Sequence, residues 1–160
     1  MKTYLVLTAA VLVFAGIAYA GTIAVPIFRD GGTAPVLDAQ NRYVGSANNG
    51  PLAYIGLKNL THSDLTIALT YNNVAGADRT PVKNTFKLLA LQGIGFRPVY
   101  DDSTGDEGAG RAVPNMANAG NGNGSLVVNW VGKNSDIVGR YLEIGSPNAA
   151  MYTLPAIQNN

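Results

Sequence analysis

The densest set of potential ligands in this 160-residue chain is Asp101-Asp102-Ser103-Thr104-Gly105-Asp106-Glu107, four carboxylates in seven residues. Hard cations such as calcium want clustered oxygen donors of this kind, so Asp101, Asp102 and Asp106 form the candidate calcium site. The full D-x-[DN]-x-[DN]-G loop is absent, because Glu107 follows Asp106 where the loop needs its glycine. Solvated turns also collect Asp, Ser and Gly, since their side chains bond to nearby backbone. As a pair for glycoside hydrolysis the same carboxylates are poor, with nothing in the sequence to raise one pKa above the other.

His62, the single histidine, precedes Ser63-Asp64. A His–Asp pair can orient a general base. Two residues apart in a turn, the pair serves the turn better, and no G-x-S-x-G elbow supplies a nucleophile. Trp130 with Tyr43, Tyr54, Tyr71, Tyr100, Tyr141 and Tyr152 could build a sugar-binding platform. Trp130, however, shares its phase with Leu126 and Val128, which reads as core. Gly93-x-Gly95 and Gly120-x-Gly122-x-Gly124 have neither the lysine nor the strand-to-helix setting of a phosphate loop. Asn59-Leu60-Thr61 and Asn123-Gly124-Ser125 match the glycosylation sequon, making Asn59 and Asn123 candidate acceptors.

Composition narrows the chemistry further. The chain has no cysteine, which excludes disulfides, thiol nucleophiles and thiolate metal sites. Charged residues make up 13%, about half the usual share, and the formal net charge is +1. Such a balance gives no electrostatic reason to seek nucleic acid or an anionic membrane. No cofactor and no enzymatic activity are expected.

Elements that would position these groups begin after residue 20. Met1-Lys2 is a short basic start, Tyr4 to Ala20 is uncharged and nearly all apolar, and Ala18-Tyr19-Ala20 is an A-x-A site before Gly21. That is the pattern of a cleaved secretory signal peptide. The alternative, a membrane anchor, would have an apolar run at the lower edge of the spanning length. Cleavage predicts a secreted or cell-surface protein with no membrane segment after signal removal.

The remainder alternates between short apolar runs and turn formers. Strands are expected at Thr22–Phe28, Leu52–Leu57, Leu65–Tyr71, Phe86–Leu91, Ile94–Val99, Leu126–Val131, Ile137–Ile144 and Met151–Leu154. Gln92-Gly93 would make a tight connection between the fourth and fifth. Leu65, Ile67, Leu69 and Tyr71 should share one buried face, as should Leu126, Val128 and Trp130. No segment sustains a capped 3.6-residue period. The expected fold is all-β: an antiparallel β-sandwich, immunoglobulin-like or jelly-roll, after the signal peptide. The organisation reads as 1–20 signal peptide, 21–49 N-terminal strand and linker, and 50–160 sandwich domain. Residues 100–124, about 25 without a strong period, mark an interaction surface or a missed strand near Arg111 to Val113.

Several phrases together carry a resemblance: Val25-Pro26-Ile27-Phe28-Arg29-Asp30, Gly56-Leu57-Lys58-Asn59, Phe96-Arg97-Pro98-Val99, Ala112-Val113-Pro114-Asn115 and Tyr152-Thr153-Leu154-Pro155. The chain resembles small secreted bacterial β-sandwich proteins to which no activity attaches. More loosely, its plan is similar to filament and pilus subunits that polymerise by donating a terminal strand. Such a plan implies an extracellular structural subunit of a filament, tube or matrix, with itself as partner. Ile23, Val25, Ile27 and Phe28 would then enter a neighbour's groove, Ile23, Val25 and Ile27 on one face and Phe28 on the other. The alternative function is a secreted binding module for a polysaccharide or a cell-surface partner.

Overall fold

The computed structural model describes residues 21–31, 35–37, 39, 43–46, 51–99, 113–117, 122–145 and 149–157. Ten strands run through them: β1 (Gly21–Arg29), β2 (Pro35–Leu37), β3 (Tyr43–Ser46), β4 (Leu52–Asn59), β5 (Leu65–Asn73), β6 (Thr85–Leu88), β7 (Gly93–Phe96), β8 (Asn123–Trp130), β9 (Ile137–Ile144) and β10 (Ala149–Leu154). A single 3-10 turn, Asn134–Asp136, joins β8 to β9. Two antiparallel four-stranded sheets result, ordered β1-β8-β5-β6 and β10-β9-β4-β7, with β2 and β3 as a separate pair. Among the described residues no helix is long and apolar enough to cross a membrane.

Alternation explains which face each strand buries. In β8, Gly124, Leu126, Val128 and Trp130 are buried and the residues between them are half-exposed. In β5, Ile67, Leu69 and Tyr71 are buried, opposite Trp130, Val128 and Leu126 in register. From the other sheet, Ala53, Ile55, Leu57, Ile94, Phe96, Ile137 and Tyr141 join the same core cluster. Trp130 is fully buried, and its indole N–H donates to the Lys133 carbonyl at 3.0 Å, so its one polar atom is satisfied. Gly21 lies against that indole so closely that an added Cβ would overlap the ring.

Three expectations change. The first strand was expected to keep one alternation throughout. Instead its register against β8 slips between Val25 and Phe28, where Pro26 and Ile27 oppose one fewer residue on β8. The extra residue is a bulge, and it flips the phase. Phe28 therefore joins Ile23 and Val25 in the core, while Ile27 faces out at 58% exposure. The tight connection expected at Gln92-Gly93 is present, with the Gln92 N–H donating to the Leu89 carbonyl at 3.0 Å, but it passes the chain from one sheet to the other instead of closing a hairpin. Leu91, at φ 57°, reverses the chain between them, and its N–H donates to the Thr61 carbonyl at 3.0 Å. The stretch 31–49, expected as a linker with one short strand near Tyr43, has that strand and a second one paired with it, from Pro35↔Ser46 to Leu37↔Tyr43. Of residues 100–124, those described before β8 include Val113 and Met116, both buried and neither in a strand.

Candidate functional site

Among the described residues, a concavity lies between the outer edge of β1 and β10. It encloses about 710 Å³ and is bounded by Ala24, Pro26, Ile27, Leu154, Pro155 and Ile157, with Arg29, Tyr141, Glu143 and Tyr152 at its polar side. The strand ends explain its position. Each of β1 and β10 closes one side of its sheet, so the two sheets part along this seam. The seam is bridged at one end, where Ala156 pairs with Ile23 and the Ile157 N–H donates to the Thr22 carbonyl at 2.7 Å. Beyond that bridge it stays open.

Its polar wall is a connected group. Arg29 Nη2 lies 2.6 Å from Glu143 Oε1, and Arg29 Nε donates to Glu143 Oε2 at 3.3 Å. The Tyr141 hydroxyl donates to Glu143 Oε2 at 2.7 Å and accepts from the Arg29 N–H at 3.3 Å. Burial, and then the bond to Glu143, hold the Tyr141 phenol well above its ordinary pKa. The Tyr152 ring stacks on Tyr141 at 6.2 Å and 16°. Two strand registers bring this group together: Tyr141↔Tyr152 across β9 and β10, and Tyr141↔Ile55 across β9 and β4.

A second group pins the end of β1. Asp30 is fully buried, and Arg97, after β7, is 1% exposed. Arg97 Nε donates to Asp30 Oδ1 at 3.1 Å and its Nη2 bonds to the same oxygen. The backbone N–H groups of Ala53 and Val99 reach the carboxylate at 3.4 and 3.3 Å, and the Asp30 N–H donates to the Gly122 carbonyl at 2.8 Å. Burial pushes the Asp30 carboxyl above its ordinary range, against the pull of Arg97 and the two amides. A buried pair this well bonded stabilises little against an apolar substitute, but removing one partner strands the other's charge.

The candidate residues fall in different places. Ile23, Val25 and Phe28 lie in the chain's own core, and only Ile27 of the four interface candidates is presented to solvent. Asn59 is fully buried. Its Nδ2 donates to the carbonyls of Ser63 and Leu89 at 2.8 and 2.9 Å, and its Oδ1 accepts from Thr61 N and Oγ1, both at 2.8 Å. The sequon's Asn and Thr thus build a turn, and the folded chain gives no access to that amide. Asn123, half-buried, opens β8, which is flanked by β1 and β5. Asp101, Asp102 and Asp106 lie outside the described residues. Among the described residues no group of three or more His, Asp or Glu could hold a metal. His62 is exposed, and Asp64 turns instead to the Ala90 N–H at 3.0 Å and to Lys87 at 3.6 Å.

Of the six tyrosines, Tyr141 and Tyr152 come together. Tyr71 is core, its hydroxyl donating to the Pro114 carbonyl at 2.8 Å. Sequence reasoning missed the Arg29–Glu143 and Asp30–Arg97 pairs, whose partners are 114 and 67 residues apart.

The class that fold and site define is an all-β protein of two four-stranded antiparallel sheets with a cleft at one seam. No family model matches the chain, and no curated protein matches it. Among solved structures, the one titled "Crystal Structure of Thermotoga maritima 1070" is similar over 88% of this chain and 96% of that one, at 11% identity and TM-score 0.48. A likeness at that level carries no argument.

Proposed function

We propose that the chain is a secreted structural subunit, an immunoglobulin-like or jelly-roll β-sandwich, that assembles into a filament, tube or matrix by exchanging β1. The observation that carries this reading is the position of β1. It is the first described strand, it lies at the edge of its sheet, and it supplies three fully buried side chains, Ile23, Val25 and Phe28. Burying them stabilises by roughly 5–9 kcal/mol before any ordering cost. Lifted out, β1 would leave an apolar groove of matching shape beside β8, and a second copy's β1 carries the same side chains.

Edge geometry selects replacement over simple addition. The Thr22 carbonyl points to the outer edge, since it accepts from Ile157, and Pro26 lies in the same phase. Proline has no N–H to offer there, and the bulge breaks the repeat just beyond it. Beyond the pairing with Ala156 and Ile157, Pro26 and the bulge interrupt this edge, which favours association through the inner side of β1. The relation is head-to-tail, so it builds an open filament unless the rotation closes.

The Thr22 hydroxyl donates to Asn129 Oδ1 across β1 and β8 at 3.1 Å, which makes this pair a place to lock the strand. In the double variant Thr22→Cys/Asn129→Cys, oxidised as a monomer, negative-stain microscopy should show no assemblies. Reduction should restore those formed by the unmodified chain. Assembly that persists with the lock closed would remove β1 from the mechanism.

A further inference from the structure

We propose that the cleft between β1 and β10 is a binding site for an uncharged oligosaccharide, one sugar ring lying with its apolar face on Tyr152. Three observations select this chemistry, and none depends on exchange of β1.

The first is a prepared platform. Tyr152 is 58% exposed, yet its ring is held against Tyr141. Tyr141 is fixed in turn by its hydroxyl, bonded to Glu143 and to the Arg29 backbone. A ligand stacking on the free face of Tyr152 therefore orders little that is not already ordered. A pyranose presents C–H groups on one face and hydroxyls around its rim, which matches an aromatic plane beside a polar wall.

The second is charge. The Arg29 guanidinium and Glu143 carboxylate compensate each other at the cleft wall. An anionic or cationic ligand would have to compete with that pair, whereas hydroxyls need not. Arg29 has five N–H groups, of which the two bonds to Glu143 take two, leaving donors for ring and hydroxyl oxygens.

The third is the backbone edge. An extended peptide needs regularly alternating donors and acceptors. Here Pro26 supplies a carbonyl and no N–H, and the bulge follows at once. A hydroxyl requires only the acceptor. The volume, about 710 Å³, lies within the roughly 300–1,000 Å³ of small-ligand sites.

Calorimetry on the purified protein tests this with cellohexaose, mannohexaose, xylohexaose and chitohexaose as neutral probes. Hexagalacturonate serves as the charged probe and a Pro/Val-rich decapeptide as the extended one. At least one neutral hexasaccharide should bind with a micromolar to millimolar Kd. Tyr152→Ala should weaken it about tenfold or more, while Tyr152→Phe, which keeps the ring face, stays within about threefold. Because Tyr152 is exposed, Tyr152→Ala should leave Trp130 fluorescence of the folded chain unchanged and shift unfolding only slightly, through the lost stacking on Tyr141, so loss of binding is not loss of fold. Absence of binding by all four neutral sugars at 10 mM overturns the proposal. So does a Kd indifferent to Tyr152→Ala, or tighter binding of hexagalacturonate or of the peptide.

Discussion

Replacing Gly21 by alanine sets two effects of known sign against each other. Gly21 opens β1, so alanine there should gain at most roughly 0.5–1 kcal/mol over glycine, because the unfolded chain has less freedom to lose. At this position the new methyl would fall onto the buried Trp130 indole. The ring is fully buried and tied to the Lys133 carbonyl, so it has little room to yield. Overpacking of this kind costs roughly 1–3 kcal/mol. The steric term should win, leaving Gly21→Ala destabilised by about 1–2 kcal/mol. For a domain of this size that is a fall in Tm of roughly 3–8 °C. Trp130 is the single tryptophan, so urea unfolding followed by its fluorescence reads the site directly. The second arm is Trp130→Phe, which shortens the ring and makes room. Gly21→Ala in that background should be neutral or stabilising, a coupling of about 1 kcal/mol or more. An alanine that stabilises the unmodified chain, or whose cost is the same in both backgrounds, would refute the close packing of β1 on Trp130.

Asp30→Asn should cost about 3–5 kcal/mol by removing the carboxylate charge that the buried Arg97 guanidinium bonds, and Asp30→Asn/Arg97→Met should recover much of it. Arg97→Met alone should be pH-dependent. Its Asp30 would take a proton in the fold well above the ordinary 3.8, so the deficit should be smallest below pH 3.8 and grow as pH rises through the folded-state value. Thermal melts from pH 3 to 8 decide the sign. Asn59→Ala should lose about 1–3 kcal/mol, measured by urea unfolding, because the Ser63 and Leu89 carbonyls lose their donor. Intact mass of exported protein should begin at Gly21; a mass that retains residues 1–20 would point to an anchor instead.

How much of this was legible in the sequence depends on how local the determinant is. Ile67, Leu69, Tyr71, Leu126, Val128 and Trp130 could be assigned to the core from a period of two that β8 keeps end to end; in β5 it holds only in part, since Leu65, expected on the same face, is half-buried and the out-of-phase Ala68 is buried. In β1 the same reasoning failed after Val25. A bulge is a property of two strands, and nothing in Val25-Pro26-Ile27-Phe28 states how many residues oppose it. Gln92-Gly93 has the residues of a tight turn, yet Leu91 in a left-handed conformation carries the chain to the other sheet. At Asn59 the sequence pattern was real but served the fold, since a turn and a glycosylation acceptor ask for the same Asn-x-Thr. The cleft was illegible because its walls come from opposite ends of the chain: Arg29 meets Glu143 only after both sheets exist. Tyr141 and Tyr152 were both among the candidate tyrosines; that these two would stack was not legible.

The hydrogen bond between Thr22 and Asn129 spans 107 residues. β1 is therefore synthesised about 100 residues before the strand it pairs with. At roughly 5–20 residues per second, its apolar face waits some 5–20 s for β8 to be made. Contacts this distant in sequence also close slowly, because the loop entropy is lost before the contact forms. During that interval the slot beside β8 does not yet exist. On the exchange proposed above, a second copy's β1 would compete for that slot once it forms, and the outcome would depend on local concentration.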